Sequence, residues 1–456
     1  MKKNKLFSFS IVFLSFFTGY SQEKKWTIEE CLNYAIEHNI SIIQSDLDVK
    51  LSDVDKKSAV GSYLPSLNFN TSHSWNTGLN QNISTGLFVN QTTQFTSFGL
   101  NSSVPIYAGL QNLNRLRKAN LSILAAQYKL SKMKDDISLN ITNAYLQILF
   151  NKEQLKVQKE QYANNEKQLN RTQELVNAGS VPKGDLLDMK ATLATNKQSM
   201  VVAENALFLS KLSLAQLLQL PDFEQFDTAE IDFELRESEV MSQTPLAIFE
   251  KAKEERSELK IARTNLEIAE KDVKLARGAY QPTLSGNFNM ATSASYSDRL
   301  VATDGFGNPV FGPALPIEEQ MNNNRSHAFS LQLRVPILNG LSARNNVERN
   351  KVNLERSKIA YKQQEIDLER NVFTAFTDAK GALNTYESAI STFEARSEAF
   401  NYAKEKYAVG MLSAFDLNQS QTLYVNSKSE VIRTKYDYIF KVKVLEFYFG
   451  IPITKN

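Results

Sequence analysis

The sequence predicts a mainly α-helical protein with four membrane-type β-strands, arranged as a tandem repeat of one unit. Three observations support this fold class. Residues 104–221 match residues 335–452 without a gap, at an offset of 231 positions, and such self-similarity indicates duplicated structure. Four segments alternate polar and apolar residues with the period of a strand. Long segments almost free of glycine and proline carry an apolar residue every seven positions, as coiled-coil helices do.

The repeat is supported by shared motifs as well as by its gapless register. Residues of the first copy that return unchanged in the second are Val104, Pro105, Ile106, Gly109, Leu110, Gly179, Asp185, Leu186 and Pro221. A second offset, 217, relates the motif that starts at Tyr63 to the motif that starts at Tyr280. Duplicated units usually adopt pseudo-symmetric structures, which often surround an axis or a hole.

The first 21 residues are predicted to be a secretory signal peptide. Met1 to Lys5 is basic, Leu6 to Phe17 is a short apolar core, and Gly19 and Ser21 put small residues at −3 and −1 of the cleavage site. A membrane anchor helix needs roughly 20 apolar residues, and this core is shorter. No later apolar run is expected to reach that length, so we expect any membrane crossing to use strands.

Composition and charge argue against several functional classes. Without the three lysines of the signal peptide, 49 of the 52 basic residues remain, against 50 acidic residues. The chain therefore has no excess of positive charge that would predict nucleic-acid binding. Cys31 is the sole cysteine, which excludes an intrachain disulfide, and we expect it to be a buried thiol. His38, His73 and His327 lack metal-ligand spacing, and no phosphate-binding loop or nucleophile elbow occurs. We therefore expect no catalytic residue, no metal site and no cofactor.

The alternating segments are interpreted as two β-hairpins. The first is predicted at about 63–106 with a loop near 79–92, and the second at about 282–338 with a longer loop near 298–326. Each run is long enough to cross a bilayer when tilted, and apolar faces with aromatic ends are typical of outer-membrane strands. A soluble amphipathic sheet would show the same alternation, but the signal peptide and the long loops favour the membrane. The side chains predicted to face lipid are Phe69, Trp75, Phe98, Phe288, Tyr296, Phe329 and Leu331.

Most of the remaining chain is predicted to form two long helical hairpins, at about 109–220 and 340–449. Leu110 to Ala178 contains 69 residues without glycine or proline, and as a helix it would be roughly 100 Å long. The first hairpin carries its seven-residue stripes at Ile141, Ile148, Leu155, Tyr162, Leu169 and Val176, and at Leu186, Leu193, Met200, Leu207 and Leu214. The second carries them at Val372, Ala379, Tyr386, Phe393, Phe400 and Tyr407, and at Leu417, Tyr424, Val431, Tyr438 and Leu445. Narrow apolar seams on polar helices predict a wall that is wet on both sides, although a soluble coiled-coil fibre would carry the same pattern.

An acidic segment connects the two repeats. We place the first structural repeat at 22–221, the connector at 222–245 and the second repeat at 246–456. The connector contains one base, Arg236, and its acidic residues are Asp222, Glu224, Asp227, Glu230, Asp232, Glu234, Glu237 and Glu239. Ile231, Phe233 and Leu235 alternate within it, which predicts a short strand packed outside the helical wall.

Each helical hairpin turns at a tip that contains glycine. Gly179 and Gly410 suit the left-handed position that ends a helix. Ser413 and Asp416 have the spacing of a capping box for the helix that follows. These structural roles explain the tips as well as a binding role would.

The strand count predicts an oligomer. Four strands leave two open edges, and unpaired backbone groups cannot lie in lipid. The smallest closed membrane barrels have about eight strands. At least two chains are therefore needed, and the strand count is equally compatible with any larger number.

The order of helix, β-hairpin and helical hairpin, all repeated, resembles the TolC-like family of outer-membrane efflux and secretion factors. The segment Trp26 to Leu32, followed by Ala35 and Asn39, looks like the first helix of that family, and the resemblance extends to Pro452. It implies a homotrimer whose protomers each give four strands to one twelve-stranded barrel in outer-membrane lipid. It further implies that the helices continue as an α-barrel in the periplasm.

The resemblance also implies a function. The chain would be the passive exit duct of a tripartite efflux or type I secretion system, opened by a periplasmic adaptor (membrane fusion) protein and an inner-membrane pump. The alternative is a soluble or surface-attached coiled-coil structural protein, such as a fibre or an adhesin stalk.

Two sets of residues take their expected roles from the same resemblance. The tips that would dock the adaptor are Gly179, Ser180 and Val181, and Gly410, Met411, Leu412 and Ser413. The residues that would line the closed aperture are Asp416, Gln419, Asp185 and Asp188. Gln419 stands where the family often has a second carboxylate, which argues against a double acidic ring.

Overall fold

The computed structural model describes residues 25–81, 86–221, 223, 226–230 and 238–451. The predicted signal peptide and the alternating residues Ile231, Phe233 and Leu235 lie outside this part of the chain. In chain order the helices and strands are β1 (Lys25–Trp26), α1 (Ile28–His38), α2 (Ile40–Gly61), β2 (Ser66–Gln81), β3 (Phe88–Ala108), α3 (Gln111–Asn177), α4 (Lys183–Leu218), β4 (Asp227–Thr228), α5 (Pro245–Glu255), α6 (Ser257–Arg277), β5 (Thr283–Ser295), β6 (Arg299–Thr303), β7 (Pro309–Gly312), α7 (Ile317–Asn323), β8 (Ser326–Arg334), α8 (Ser342–Ala408) and α9 (Ala414–Phe449). The predicted fold class, long helices with a few strands in a repeated order, is confirmed.

The chain forms two compact units. One contains Met1–Ile43, Lys134–Lys251 and Asn371–Asn456, and the other contains Gln44–Met133 and Ala252–Arg370. We call the first the hairpin unit, because it contains both helical tips, and the second the sheet unit.

The sheet unit is built on four antiparallel strands in the order β2-β3-β5-β8. Strands β2 and β3 pair continuously as far as Gln81 and Phe88, so the connecting loop is shorter than the predicted 79–92. Near the loop, Asn80 also donates a side-chain hydrogen bond across the two strands, to the backbone oxygen of Gln91 at 2.9 Å. The second loop contains the hairpin β6-β7 and helix α7.

Each repeat passes from sheet to long helix through a Gly-Leu pair with positive φ. Gly109 and Leu110 both have φ near +59°, and Gly340 and Leu341 have φ of +59° and +64°. A Cβ atom on Gly109 would lie 2.5 Å from the backbone oxygen of Gly278. Glycine is therefore required here by contact as well as by conformation.

Helix α6 packs against α3 in the sheet unit. Lys118 Nζ lies 2.7 Å from Asp272 Oδ1, and the hydroxyls of Ser257 and Ser131 are 3.3 Å apart. Thr264, on the same helix, is buried. Helix α3 of the first repeat is therefore covered in part by α6.

The core of the hairpin unit lies where α1 meets α3 and α4. Its members include Cys31, Leu32, Ile141, Tyr145, Ile148, Leu214 and Leu218. The Tyr145 hydroxyl donates to the backbone oxygens of Trp26 and Ala229, at 3.1 and 2.9 Å, which fastens β1 and the start of the connector to α3. Burial raises the pKa of Tyr145. The prediction that Cys31 is a buried thiol is confirmed.

The coiled-coil seams are confirmed by burial, since every position of the predicted stripes is buried or half-buried. In the second hairpin Tyr386 stacks on Tyr438 with ring centroids 6.5 Å apart, and Phe400 stacks on Tyr424 at 5.2 Å. In both pairs the two residue numbers add up to the same total. Antiparallel helices show this when they stay in one register along their length.

The expectation that no later apolar run reaches the length of a membrane-spanning helix is wrong. Within the described chain, α4 contains an 18-residue window that is long and apolar enough to cross a membrane by composition. This is weak evidence for a membrane span, because core helices of soluble proteins pass the same test. The apolar count is high because seam residues such as Leu207 and Leu214 lie close to outward residues such as Val202 and Phe208.

Candidate functional site

The strand register sorts the side chains of the four-stranded sheet onto two faces. Residues directly opposite each other on antiparallel strands lie on the same face. Phe69 opposes Leu100, Phe98 opposes Thr292, and Phe288 opposes Phe329. Extended along the strands, these pairs define one apolar face, which includes all the residues predicted to face lipid: Phe69, Trp75, Phe98, Phe288, Tyr296, Phe329 and Leu331.

The apolar face is open in the single chain. Phe329 is 82% exposed and Phe69 is 67% exposed. Neighbouring rings still contact each other, because Phe288 and Phe329 lie 4.7 Å apart and Phe69 and Phe98 lie 6.5 Å apart. A continuous apolar surface of this kind normally faces a partner or a membrane.

An aromatic cluster with polar atoms lies toward the loop end of the apolar face. His73 Nδ1 is 2.6 Å from the hydroxyl of Thr96, which is 3.2 Å from the hydroxyl of Tyr296. The His73 ring contacts Trp75 edge-on at 4.1 Å. No role of His73 is predicted from the sequence, although its odd position, shared with Phe69 and Trp75, assigns it to this face.

The opposite face carries amides and hydroxyls. Asn101 donates to the side-chain oxygen of Asn70 at 2.6 Å, and the hydroxyls of Ser72 and Ser97 lie 2.7 Å apart. In membrane β-barrels, strands with apolar residues on one face and polar residues on the other separate lipid from an aqueous lumen.

The sheet has two free edges. In the order β2-β3-β5-β8 the outer strands β2 and β8 each pair on one side within the chain. Their unpaired N–H and C=O groups require a partner wherever water is excluded.

The first tip ends α3 with a Schellman turn. Gly179 has φ of +73°, and its N–H donates to the backbone oxygen of Val176. The N–H of Ser180 donates to the backbone oxygen of Leu175 at 2.9 Å. This is the pattern in which glycine takes the left-handed position after a helix. The next helix, α4, begins after Pro182 without a side-chain cap.

The second tip has the same turn and a different cap. Gly410 has φ of +79°, and the N–H of Met411 donates to Lys406 at 2.8 Å. The hydroxyl of Ser413 accepts from the N–H of Asp416 at 3.2 Å, so Ser413 is the N-cap of α9. The Asp416 carboxylate accepts from this hydroxyl at 2.7 Å and not from the backbone of Ser413, so the capping box is only half formed. A complete capping box occurs in α1, between Thr27 and Glu30.

The four residues predicted to line an aperture lie in the first two turns of α4 and α9. Asp188, Asp416 and Gln419 are exposed, and Asp185 is half-buried. The two helices contact each other close by, since Asn418 Nδ2 lies 3.6 Å from the sulfur of Met189. Among the residues that the structure describes, no group of three or more His, Cys, Asp or Glu side chains could hold a metal ion.

Polar contacts join the two hairpins inside the hairpin unit. Gln421 donates to the side-chain oxygen of Asn165 at 2.8 Å, and Asn165 is buried. Lys428 Nζ lies 2.8 Å from Glu160, and this hydrogen bond lowers the pKa of Glu160. Helix α3 of the first repeat is therefore covered by α9 of the second.

The sequence matches the model of the outer membrane efflux protein family over residues 31–219 and 248–450. These two segments correspond to the two repeats and together cover most of the chain. The protein belongs to this family of outer-membrane channels. It is therefore an outer-membrane protein with a role in efflux transport, and it is not an enzyme.

Solved structures give the same fold. The CmeC outer membrane channel of Campylobacter jejuni is 17% identical with a TM-score of 0.79, over 94% of this chain and 87% of that chain. VceC of Vibrio cholerae is 14% identical with a TM-score of 0.74, over 93% and 96%. The open MtrE channel of Neisseria gonorrhoeae is 13% identical with a TM-score of 0.73, over 93% and 88%. In a search of curated protein sequences, none matches this chain significantly.

Proposed function

We propose that three copies of this chain form the exit duct of a tripartite efflux or type I secretion system. The duct crosses the outer membrane as a shared twelve-stranded barrel and continues through the periplasm as an α-barrel. It is a passive conduit, opened by a periplasmic adaptor and an inner-membrane pump. The observation that carries the proposal is the four-stranded sheet, with one apolar face, one polar face without acidic residues and two free edges.

The internal repeat supports closure of the sheet between copies. Strands β3 and β5 pair inside the chain, and β8 and β2 are their counterparts at the offsets 231 and 217. We assume that β8 pairs with β2 of a second copy in the same register as β3 pairs with β5, shifted by these offsets. Phe329 then lies opposite Trp75 of the second copy, and Leu331 lies opposite its His73. The apolar face then continues across the joint, as a lipid-facing surface must.

Two exposed helical stripes support the same arrangement. Helix α2 exposes Leu47, Leu51 and Val54, with Leu51 61% exposed, and α8 exposes Val352, Ile359 and Ile366. Their counterparts in the other repeat, on α6 and α3, are buried or half-buried. By the same offsets, α2 of one copy packs on α8 of the next.

The repeat also supplies an ion pair for this joint. The pair between Lys118 and Asp272 inside the chain corresponds to Arg349 and Asp55 at the equivalent positions. Asp55 and Arg349 are both exposed in the single chain. Charge complementarity at equivalent positions favours a second copy of this chain as the occupant of the α8 stripe.

The tips supply the proposed adaptor and aperture sites. Met411 is 75% exposed and Phe415 is 69% exposed, so the second tip offers an apolar surface that a partner helix could cover. Adaptor binding at Gly410 to Ser413, and at Gly179 to Val181, would favour an open state in which α4 and α9 move outward. Asp416, backed by Asp185 and Asp188, would line the closed aperture beside Gln419.

The proposal is tested by expressing the chain with its own N-terminal segment in a Gram-negative host. We expect the mature protein to fractionate with outer membranes, resist salt and alkaline extraction, and run in detergent at about three protomer masses. A soluble elongated species in the periplasm or the medium would instead support the alternative function, a coiled-coil fibre, which the family assignment argues against.

A further inference from the structure

We propose that Arg334 forms a cationic ring on the lumen side of the barrel, at its helix end, which attracts anionic solutes and repels cationic ones. This inference rests on the proposed duct, because it needs the polar face of the sheet to line the lumen. It concerns the barrel and not the helical tips, where the expected aperture residues are acidic.

The first observation is the charge content of the sheet. Strands β2, β3, β5 and β8 contain no Asp, Glu or Lys, and Arg334 is the one arginine among them. A single guanidinium among neutral amides and hydroxyls therefore sets the sign of the potential along these strands.

The second observation is the face on which Arg334 lies. Arg334 opposes Thr283, and two residues earlier Gln332 opposes Ser285. Both pairs belong to the polar face, whereas the intervening Leu333 opposes Leu284 on the apolar face. Arg334 is exposed, and among the described residues its guanidinium makes none of the side-chain hydrogen bonds or ion pairs that the structure shows.

The third observation is the position along the strand. Arg334 is the last residue of β8, and Thr283 is the first residue of β5, which follows α6. Both mark the helix end of the sheet. The first repeat has Ser103 at the equivalent position, so each chain contributes one charge.

The joint between copies adds no opposing charge. Ser103 opposes Asn287 inside the chain, and the repeat offsets convert this pair into Arg334 opposite Asn70 of the next copy. The neighbours of Arg334 on both sides are then neutral. Arginine rings select anions in pores, and low-dielectric walls focus their field.

The sole native cysteine makes a direct test possible. Cys31 is buried, so a cysteine introduced in place of Gln332 would be the reporter thiol. Two residues along a strand span about 7 Å, which brings the reporter close to Arg334 on the same face. The measurement is the ratio of its reaction rates with an anionic and a cationic methanethiosulfonate reagent, in full-length protein reconstituted in lipid vesicles.

We expect Gln332→Cys to react faster with the anionic reagent, after correction for the rates of a free thiol. One charge at about 7 Å in water changes the local concentration of a monovalent ion about threefold, so Arg334→Gln should lower the anion-to-cation ratio about sevenfold. Both reagents react with the same reporter thiolate, so the ratio of their rates does not depend on the fraction of the thiol that is ionised. Arg334→Lys should keep the ratio, and Arg299→Gln, which removes an equal charge from the separate hairpin β6-β7, should leave it unchanged.

A second reporter separates failure of this inference from failure of the duct. Leu333→Cys should be shielded from both reagents if the apolar face contacts lipid. A shielded Leu333→Cys together with a ratio that Arg334→Gln does not change would overturn the arginine ring and leave the duct intact. A reactive Leu333→Cys with a shielded Gln332→Cys would mean that the faces are reversed, and both proposals would fail.

Discussion

The two repeats share one sequence register, but the chain covers their long helices to different extents. Helix α3 of the first repeat is covered by α6, through Lys118 and Asp272, and by α9, through Asn165 and Gln421. Helix α8 of the second repeat leaves Ile359 69% exposed. In a ring of duplicated units, half of the equivalent contacts form inside each chain and the other half form between chains. The difference between the repeats therefore marks where a second copy is expected to bind.

The tips differ in the same way, although their glycines are equivalent. The second tip has a serine cap and exposes apolar residues that include Met411 and Phe415, whereas the first begins α4 after Pro182 without a side-chain cap. A repeated turn motif preserves backbone geometry. It does not preserve the surface, so the two tips are not expected to bind a partner equally.

The largest expected effect comes from placing a charge in the exposed stripe of α2. Leu51→Asp should put an unpaired carboxylate into the joint with α8 of a second copy, which costs about 3 to 5 kcal/mol and raises trimer dissociation by at least about a hundredfold. The measurement is the oligomer mass in detergent as a function of protein concentration. Ser52→Asp, one residue off the stripe, is the control, and equal effects of the two variants would contradict the joint.

A charge swap tests the ion pair predicted for the same joint. Asp55→Arg and Arg349→Asp should each weaken the trimer, by up to about fivefold in dissociation, because each places like charges together. The double variant should restore it. The readout is the temperature at which the trimer dissociates, and additive losses in the double variant would exclude the pair.

The cap difference predicts different stability at the two tips. Ser413→Ala removes the side-chain cap of α9 and should cost about 1 kcal/mol, whereas Pro182→Ala removes no cap hydrogen bond. Hydrogen exchange in the first turn of α9 should become about fivefold faster, and the first turn of α4 should change less. Equal changes would indicate that the serine hydroxyl does not stabilise the turn.

The carboxylates at the starts of α4 and α9 test the aperture. Asp416→Asn removes a charge and keeps an acceptor for Ser413, so the tip should stay folded while the cation preference of reconstituted channels falls about threefold. The reversal potential in a salt gradient measures this preference. We expect a smaller change from Asp185→Asn, and unchanged selectivity and gating in Asp416→Asn would refute the assignment.

The smallest effect is the pH dependence of an ion pair between Asp227 of the connector and two lysines of the first repeat. Burial opposes ionisation of Asp227, but hydrogen bonds from Lys152 and Lys211 outweigh it and lower its pKa. The second repeat has the apolar residues Leu383 and Val442 at the positions equivalent to the two lysines. Because the unfolded value is about 3.9, the carboxylate stabilises the fold above about pH 4, and this contribution is lost as the pH falls through the lower folded value.

Asp227→Asn should remove that acid-sensitive contribution. The gain lost at neutral pH is at most about 1 kcal/mol, because the lysines are partly solvated. Thermal unfolding at pH 7 and at pH 3 measures it, and the variant should show a smaller difference between the two than the native chain. An unchanged difference would assign the acid sensitivity to other groups.

The regular elements could be predicted because their periods are local. The stripe from Ile141 to Val176 and the alternation around Phe69 predict a helix and a strand without knowledge of the neighbours. The glycines of both tips were identified for the same reason, since a left-handed residue after a helix depends on its own backbone. The role of His73 required the register of β2 against β3, because a hydrogen bond to Thr96 depends on pairing across strands.

The sequence by itself determined the tandem repeat, the long coiled-coil helices, the tip turns and the sorted faces of the strands. Each follows from residues close together in the chain, where spacing fixes which side chains share a face. Only the tertiary structure decided which equivalent surfaces are covered inside one chain. It also gave the strand order β2-β3-β5-β8, placed Arg334 on the polar face opposite Thr283, and left the stripes of α2 and α8 open. Pairing between distant segments sets these features, and no local period encodes it.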